Sequence, residues 1–288
     1  MPIFRRPDGD QVPRHTLSPL RQMLPFIMPG RNGSVVYFEE LIDVTSTLDW
    51  LETTNAGLAE PRCTLFHVFL GAMVRTMAER PRLNRFIAGQ RTFQHRDITL
   101  AFAVKLTFAD HAPITTVKIA FQPDDTLDQV ARRVVRAVHA GRSDKPSTSD
   151  TEAKWLSRLP RPVLRTIMQA QRWLDDRHLL PAALTQDDPL YASAMLANLG
   201  SIGLDAPYHH LFEYGTVPIF VTIGRIKKVP MVVEDDQIAA RQAVSVKFSI
   251  DERIADGYYL GRSLERFRHY VQHPQNLQSS ASSEEDNS

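Results

Sequence analysis

Hydrophobic and polar residues alternate most regularly over residues 241–251. Large apolar side chains fall on one side of this stretch and small or polar ones on the other; the apolar set is Val244, Val246, Phe248 and Ile250. This period of two predicts a β-strand with one buried face. Runs rich in β-branched and aromatic residues predict further strands over residues 34–44, 95–108, 114–121, 191–198, 217–224 and 231–234.

Helical spacing of apolar residues marks several other segments. Thr64 is the predicted N-cap of a largely apolar helix that Pro81 ends. Thr45 or Ser46 is the predicted N-cap of a shorter helix ending near residue 55, and two further helices are predicted after residue 126 and over residues 258–271. Because strands and helices do not alternate in a regular βαβ array, this order predicts an α+β fold with a mixed β-sheet flanked by helices.

Basic and apolar residues alternate over residues 152–180 and predict two amphipathic helices separated by the prolines at 160 and 162. A basic amphipathic helix packs on its own protein or lies on a membrane surface. We expect packing on the protein, and contact with a membrane is the alternative.

The distribution of proline and polar residues suggests the domain boundaries. Six prolines within residues 1–33 exclude a long helix and predict an extended N-terminal arm, with a loose terminus as the alternative. Residues 34–273 are expected to form a single domain with a helical insertion at about 142–190. Residues 274–288 are polar and acidic, so a disordered tail is expected.

Composition excludes several classes of protein. The 288 residues hold 34 Lys and Arg against 33 Asp and Glu, so the balance of charge gives no signal for nucleic acid. A single cysteine, Cys63, forms no internal disulfide and no cysteine-based metal cluster. The sequence shows no transmembrane run and no secretory leader, which predicts a cytoplasmic protein.

Three segments, in order, resemble one family of enzymes. Residues 248–267 (FSIDERIADGYYLGRSLERF) resemble the strand, turn and helix that carry the H-x-x-x-D-G motif of chloramphenicol acetyltransferases and of the acyltransferase cores of 2-oxo-acid dehydrogenase complexes. Residues 196–203 (LANLGSIG), followed by residues 217–226, resemble the S-N-L-G strand of those acyltransferases and its neighbour. Residues 41–51 and 81–84 are similar to the family's first strand and helix and to its P-x-x-N turn.

The resemblance extends from about residue 21 to residue 271 and implies a two-layer acyltransferase fold. It also implies a homotrimer whose active sites lie in channels between subunits, where a thioester of coenzyme A or dihydrolipoamide meets its acceptor. A coenzyme A thioester is therefore the expected co-substrate, with no tightly bound cofactor and no metal. No lipoyl segment precedes the resemblance in this sequence, so a lipoyl-less branch is expected.

The resemblance places changed residues at both catalytic positions. In the family, the motif histidine is the general base and the serine that opens S-N-L-G donates a hydrogen bond to the oxyanion. Here these positions hold Glu252 and Ala197. A general base contributes roughly 10²–10⁴ in rate, and one oxyanion donor contributes on the order of 10²–10³. A desolvated Glu252 can act as a base; otherwise it is a solvated charge or forms an ion pair with Arg253 or another nearby arginine.

Other residues of the resemblance are retained or offer substitutes. Asp256 and Gly257 keep their family identities, and Arg21 is the candidate for the arginine that forms a buried ion pair with Asp256. His209 or His210 is a substitute base, since an ordinary histidine titrates near pH 6.5; packing is the alternative for both. Ser201 or the Asn198 amide is a candidate oxyanion donor, unless it caps the turn.

Three functions remain open from the sequence. The first is an acyltransferase that moves an acyl group from a thioester to a hydroxyl or thiol acceptor with a non-standard catalytic set. The second is a catalytically inactive relative that binds an acyl thioester or acts as a scaffold or regulatory protein, because both catalytic positions are changed together. Peripheral membrane enzymes acting on lipid acceptors are a third possibility, suggested by residues 158–180.

Overall fold

A six-stranded mixed sheet lies at the centre of the computed structural model, which describes residues 5–56, 61–105, 114–142 and 157–279. The ten strands in these ranges, in chain order, are β1 (Arg5–Arg6), β2 (Gly9–Gln11), β3 (Val35–Asp43), β4 (Arg85–Ala88), β5 (Arg91–His95), β6 (Ile98–Lys105), β7 (Ile114–Phe121), β8 (Ala194–Asn198), β9 (Ile219–Val232) and β10 (Ile238–Asp251). The central sheet has the order β3-β10-β9-β8-β6-β7.

Both parallel and antiparallel pairs occur in the central sheet. Strand β8 runs parallel to β6 and to β9, whereas β10 pairs antiparallel with β9 and β3, and β7 pairs antiparallel with β6. The predicted α+β class with a mixed sheet is confirmed. The predicted strand over residues 231–234 is wrong as a separate element, because β9 continues through Val232 in pairing with β10.

Six α-helices accompany the strands in the described ranges: α1 (Pro19–Ile27), α2 (Thr45–Asn55), α3 (Leu65–Glu79), α4 (Leu127–Arg142), α5 (Arg161–Asp176) and α6 (Gly257–Gln272). The core joins the apolar face of β10 to α3 and α6, with Phe248 against Phe267 and Phe267 stacked on Phe69. The alternating pattern of β10 therefore does place its apolar set in the core.

Helix caps follow the sequence in one case and depart from it in another. Thr64 caps α3 as predicted, and its backbone N–H donates to His67 Nδ1 in a reciprocal capping box. At α2, neither Thr45 nor Ser46 is the cap. The carboxylate of Asp43 accepts from both the backbone N–H and the hydroxyl of Thr45, because a carboxylate two residues before Thr45 can reach the first turn of the helix.

The N-terminal arm is structured. Strands β1 and β2 extend a second sheet of order β1-β2-β5-β4, and α1 follows, with Ser18 at its N-cap and Pro19 in its first turn. Within the arm, β1 and β2 are extended, whereas α1 is a short helix that the expectation of an extended arm did not include. A nine-residue helix tolerates Pro19 because its missing N–H would have no partner in the first turn.

Two other expected segments also differ from prediction. The first residues of the expected disordered tail form a 3-10 turn, Pro274–Leu277, whose Leu277 is buried in the core against α3. The rest of that tail, from residue 280, lies outside the described residues. Of the two helices predicted over residues 152–180, the second is α5 and most of the first lies outside the described residues; α5 buries Leu164, Ile167 and Leu174 in part.

Among the helices that the structure describes, none combines the length and the apolar character needed to cross a membrane. Within the same ranges, no group of three His, Cys, Asp or Glu side chains is arranged to hold a metal ion.

Candidate active site

A buried ion pair shapes the turn between β10 and α6. Arg253 Nε donates to Asp251 Oδ1 at 2.8 Å and Arg253 Nη2 donates to Oδ2 at 2.7 Å, while the backbone N–H of Arg253 also donates to Oδ1 at 3.1 Å. The Asp251 side chain is fully buried and that of Arg253 is 3% exposed. Two parallel hydrogen bonds between charged groups fix both side chains, so the turn between them has one conformation.

A second buried arginine supports this pair from the N-terminal side. Arg31 Nε lies 4.0 Å from Asp251 Oδ2, and its Nη atoms donate to the carbonyls of Phe212 and Gly215. Burial lowers the pKa of Arg31, and Asp251 opposes that shift. The backbone N–H groups of Arg31 and Asn32 in turn donate to the Glu213 carboxylate. The turn is therefore tied to residues 31–32 and 211–215.

Glu252 lies between the two buried partners, with its backbone held on both sides. Its N–H donates to Ser34 O at 2.9 Å, and its carbonyl accepts from Arg21 Nη1 at 2.5 Å. Of the alternatives for Glu252, an ion pair with Arg253 is wrong, because the Arg253 guanidinium is committed to Asp251. The Glu252 side chain is half-buried, and no described residue hydrogen bonds to its carboxylate.

Asp256 caps the helix that follows. Its Oδ1 accepts from the backbone N–H of Tyr259 at 2.8 Å, and this bond, followed by Arg21 and Arg82, lowers the pKa of Asp256. Its ion pair within the described residues is with Arg82 at 3.6 Å, and both side chains are half-exposed. The predicted buried pair of Arg21 with Asp256 is therefore not formed, since Arg21 is directed to the Glu252 carbonyl.

Gly257 opens α6, and a Cβ there would meet no atom within 4 Å. The turn in this chain therefore does not depend on glycine for space.

Asn198 ends β8 and closes the turn that follows. Its Oδ1 accepts from Ser201 N at 3.3 Å, and Ser201 Oγ donates to the Asn198 carbonyl at 2.7 Å. The turn-capping alternative for this amide is therefore the one observed. Ala197, one residue earlier, is half-buried and lies opposite Thr222 of β9.

The two histidines pack over β9. The His209 ring stacks on Phe220 with ring centroids 3.8 Å apart, and the His210 ring stacks on His209 at 4.5 Å. Each Nδ1 lies within hydrogen-bond distance of a neighbouring backbone carbonyl. Ser249 Oγ donates to the His209 carbonyl, which ties this segment to β10 three residues before Glu252.

The register of the sheet separates the predicted site residues within one chain. Asn198 pairs with Ile223, whereas Ile250, next to the motif turn, pairs with Ile219. Four residues along β9 correspond to about 13 Å at roughly 3.3 Å per residue. The structure thus brings His209 to the side of β10, and it places the end of β8 far from the Glu252 turn of the same chain.

Sequence reasoning missed two residues that hold the turn, Asp251 and Arg31. It also missed that Arg253 binds Asp251. Only the Asp-x-Arg spacing around Glu252 gave a local signal for the bidentate pair. Arg31 lies 220 positions away in sequence, so only the tertiary structure reveals it.

Comparison with known proteins finds similarity in both sequence and fold to one group of acyltransferases. Residues 179–278, which include β8 to α6, match the model of the 2-oxoacid dehydrogenases acyltransferase (catalytic domain) family. This part of the chain is similar to the catalytic domains of these acyltransferases. The lipoamide acyltransferase component of the branched-chain alpha-keto acid dehydrogenase complex of Bacillus subtilis (strain 168) is 22% identical over 234 residues. That match covers 80% of this chain, and the chain spans about 45% of the length of that relative.

Solved structures share the fold. A probable dihydrolipoamide acetyltransferase from Listeria monocytogenes 4b F2365 superposes with a TM-score of 0.61 at 18% identity, covering 91% of this chain and 94% of that one. A chloramphenicol acetyltransferase superposes with a TM-score of 0.56 at 11% identity, covering 91% and 99%. The fold implied by the sequence resemblance is confirmed.

Proposed function

We propose that this acyltransferase relative moves an acyl group from a thioester to a hydroxyl or thiol acceptor, with Glu252 as the general base. The observation that carries the proposal is the turn itself. Asp251, Arg253 and Arg21 are all committed to fixing the backbone around Glu252, while no described residue hydrogen bonds to its half-buried carboxylate. A half-buried carboxylate to which no described residue hydrogen bonds can accept a proton, and Arg21 lies close enough to interact with its charge.

The chemistry proceeds through a tetrahedral intermediate. Glu252 accepts the proton of the acceptor O–H or S–H as that atom bonds to the thioester carbonyl carbon. The C–S bond then breaks, and the leaving thiolate takes the proton back from Glu252, so the carboxylate is restored. A coenzyme A thioester is the proposed donor, and the proposal needs no tightly bound cofactor.

The oxyanion donor is proposed to come from a second copy of the chain. Ala197 has no side-chain donor, and Asn198 lies about 13 Å along the sheet from the level of Ile250, so it is farther still from the Glu252 turn of its own chain. A homotrimer with sites between subunits would bring the end of one β8 to the Glu252 turn of a neighbour. Exposed apolar side chains support such an assembly; they include Leu20, Met23, Phe26 and Ile27 on α1 and Tyr37 and Leu41 on β3.

The test is release of free thiol from acetyl-CoA in the presence of a panel of hydroxyl and thiol acceptors. Glu252→Gln should lower turnover by about 10²–10⁴ without changing the melting temperature. Glu265→Gln, at an exposed carboxylate on α6, is the matched control and should retain full turnover. Turnover that survives Glu252→Gln, or none from the unchanged protein with any acceptor, would overturn the proposal.

The second candidate function is a catalytically inactive relative that binds an acyl thioester as a scaffold or regulatory protein. The observation that favours it is the absence of a side-chain donor at Ala197, where the resemblance places the family's oxyanion donor. Calorimetry with acetyl-CoA separates the two functions, because binding without turnover supports this candidate.

A further inference from the structure

A cavity with a volume of about 680 Å³ lies between α5 and the rest of the domain. The C-terminal part of α5 forms one wall, and the end of α1, the β4–β5 turn and the segment around Gly215 form the others. Cavities of this size bind small organic molecules. Since α5 belongs to the segment expected from the sequence to be an insertion, this cavity depends on a part of the chain that the candidate active site does not use.

Hydrogen bonds on two sides hold α5 in place over the cavity. Gln171 Nε2 donates to the Tyr214 hydroxyl at 2.7 Å, and that hydroxyl donates to Asp188 Oδ2 at 2.8 Å. Arg6 Nη2 donates to Asp175 Oδ1 at 2.6 Å, and the Arg6 side chain is almost fully buried. No residue of α5 is itself fully buried, so the helix is fixed at its polar contacts and leaves space beneath its other residues. The cavity is therefore formed before any ligand enters.

Two buried residues of the cavity wall carry donors without partners. Among the described residues, nothing hydrogen bonds to Arg31 Nε or to the Tyr191 hydroxyl, although these residues are only 6% and 1% exposed. Buried donors are nearly always paired. The carboxylates near Arg31 are already bound, because Asp251 accepts from Arg253 and Glu213 accepts from backbone N–H groups. An uncharged oxygen of a ligand would supply the missing acceptor at this end.

The exposed part of the cavity wall carries an excess of positive charge. Arg172 is exposed and forms no ion pair with a described residue. The Arg177 guanidinium lies 4.2 Å from the centre of the Trp173 ring, a contact that does not use its N–H groups. Asp176 contributes one negative charge against these two arginines. The difference of one positive charge favours an anionic group at the exposed end.

We propose that this cavity binds a small organic anion whose aromatic body carries an uncharged oxygen, as in a hydroxyaryl carboxylate. The carboxylate lies at Arg172 and Arg177, because guanidinium groups match carboxylate oxygens with paired hydrogen bonds. The distant oxygen lies at the buried donors of Arg31 and Tyr191. The apolar and aromatic residues of the wall contact the ring, and they include Pro25, Ile87 and Tyr214. This inference does not rest on the proposed function.

The experiment titrates the full chain by ligand-detected NMR with three probes that differ in one group each. These are para-hydroxyphenylpropionate, phenylpropionate, which lacks the hydroxyl, and para-hydroxyphenylpropionamide, which lacks the charge. The first probe should bind most tightly, and loss of either group should weaken binding by about three- to tenfold. Arg172→Gln should weaken binding of the first probe by the same factor and leave binding of the amide unchanged. Arg165→Gln, an exposed arginine of α5 outside the cavity wall, is the matched control and should change nothing.

Tyr191→Phe tests the buried end of the cavity. Because no described residue hydrogen bonds to this hydroxyl, its removal should leave the melting temperature unchanged. The affinity for para-hydroxyphenylpropionate should fall by about three- to tenfold, whereas the affinity for phenylpropionate should stay the same.

Other results would contradict the proposal at defined points. Equal affinities for the acid and the amide, or equal weakening by Arg172→Gln and Arg165→Gln, would overturn the anionic class of ligand. A lower melting temperature of Tyr191→Phe, or unchanged binding of the first probe to it, would overturn the buried oxygen site. No binding of any probe would overturn the cavity as a site for this class. Because no thioester is present, binding with the expected pattern in a protein without acyltransferase activity would refute the proposed function alone.

Discussion

The guanidinium of Arg253 binds both carboxylate oxygens of Asp251, two residues earlier, with almost no exposure of either side chain. Glu252 lies between Asp251 and Arg253 in the sequence, so the ion pair of its two neighbours fixes the backbone of the turn that carries it. A buried ion pair of this geometry is compatible with a stable fold only when both members are present, because removal of one leaves the other as an uncompensated buried charge.

Removal of Arg253 should destabilise the protein strongly. Arg253→Ala leaves the Asp251 carboxylate buried without its main partner, and we expect the free energy of unfolding to fall by about 3–5 kcal/mol. Urea denaturation followed by circular dichroism measures the change. Arg262→Ala breaks the exposed pair with Glu265 and should cost less than about 1 kcal/mol. Equal losses in the two variants would show that the buried pair does not fix the turn.

A hydroxyl at position 197 tests where the oxyanion is bound. If the end of β8 faces the Glu252 turn of a neighbouring copy, Ala197→Ser should raise kcat for acyl transfer by about tenfold or more, because one added donor stabilises the developing charge. KM should change little. Ala240→Ser, on an exposed part of β10, is the control. Unchanged turnover in Ala197→Ser would place the oxyanion elsewhere.

The capping histidine of α3 should make stability depend on pH. Burial lowers the pKa of His67 to about 4, below the ordinary value of about 6.5, so the unfolded chain binds this proton more readily than the folded one. The contribution of the neutral His67 ring to the free energy of unfolding is complete above pH 6.5 and is lost as the pH falls toward 4. The shift corresponds to about 3 kcal/mol.

His67→Gln isolates that contribution. Glutamine at this position preserves the capping box with Thr64 but has no proton to gain, so the loss of stability between pH 7 and pH 4 should shrink by about 3 kcal/mol. Urea denaturation at the two pH values provides the comparison. Burial also lowers the pKa of His95 to about 4, so this histidine should preserve part of the pH dependence of stability in both proteins. An unchanged slope would mean that His67 is not buried as a neutral ring.

Gly89 should tolerate no side chain. Its φ is +50°, and a Cβ would lie 2.0 Å from the carbonyl oxygen of Asp176, where α5 ends. Gly89→Ala combines an unfavourable backbone conformation with a clash between backbones, and we expect a loss of about 2–4 kcal/mol in unfolding free energy. Gly33→Ala meets no atom within 4 Å and serves as the control in the same urea experiment. Similar stabilities would contradict the close packing of α5 on the β4–β5 turn.

Local pattern and motif order were sufficient for much of the fold. The period-two alternation of β10 and the Thr64 cap of α3 are set by neighbours in the sequence, and both predictions are confirmed. The family resemblance was carried by short segments in a fixed order, and the fold it implied is confirmed by the solved structures. The choice of Glu252 as base stays a prediction.

Contacts between residues far apart in the sequence determined the structure of the segments that the local pattern left open or predicted wrongly. The prolines predicted an extended arm, and the pairing of β2 with β5, which attaches the arm to the second sheet, has no local signal in the sequence. Leu277 belongs to a polar stretch, and its burial depends on contact with α3 at Gly71, some two hundred positions earlier in the sequence.

The amino-acid sequence by itself determined that Glu252 and Ala197 stand where the resemblance places the family's catalytic side chains, because the residue at a motif position is known without a structure. The tertiary structure alone decided that Arg253 binds Asp251 and leaves Glu252 without that partner, and that Arg21 reaches the Glu252 carbonyl instead of Asp256. The physical reason is that a guanidinium selects its partner by distance and burial in the folded chain, and nearness in sequence gives only a list of candidates.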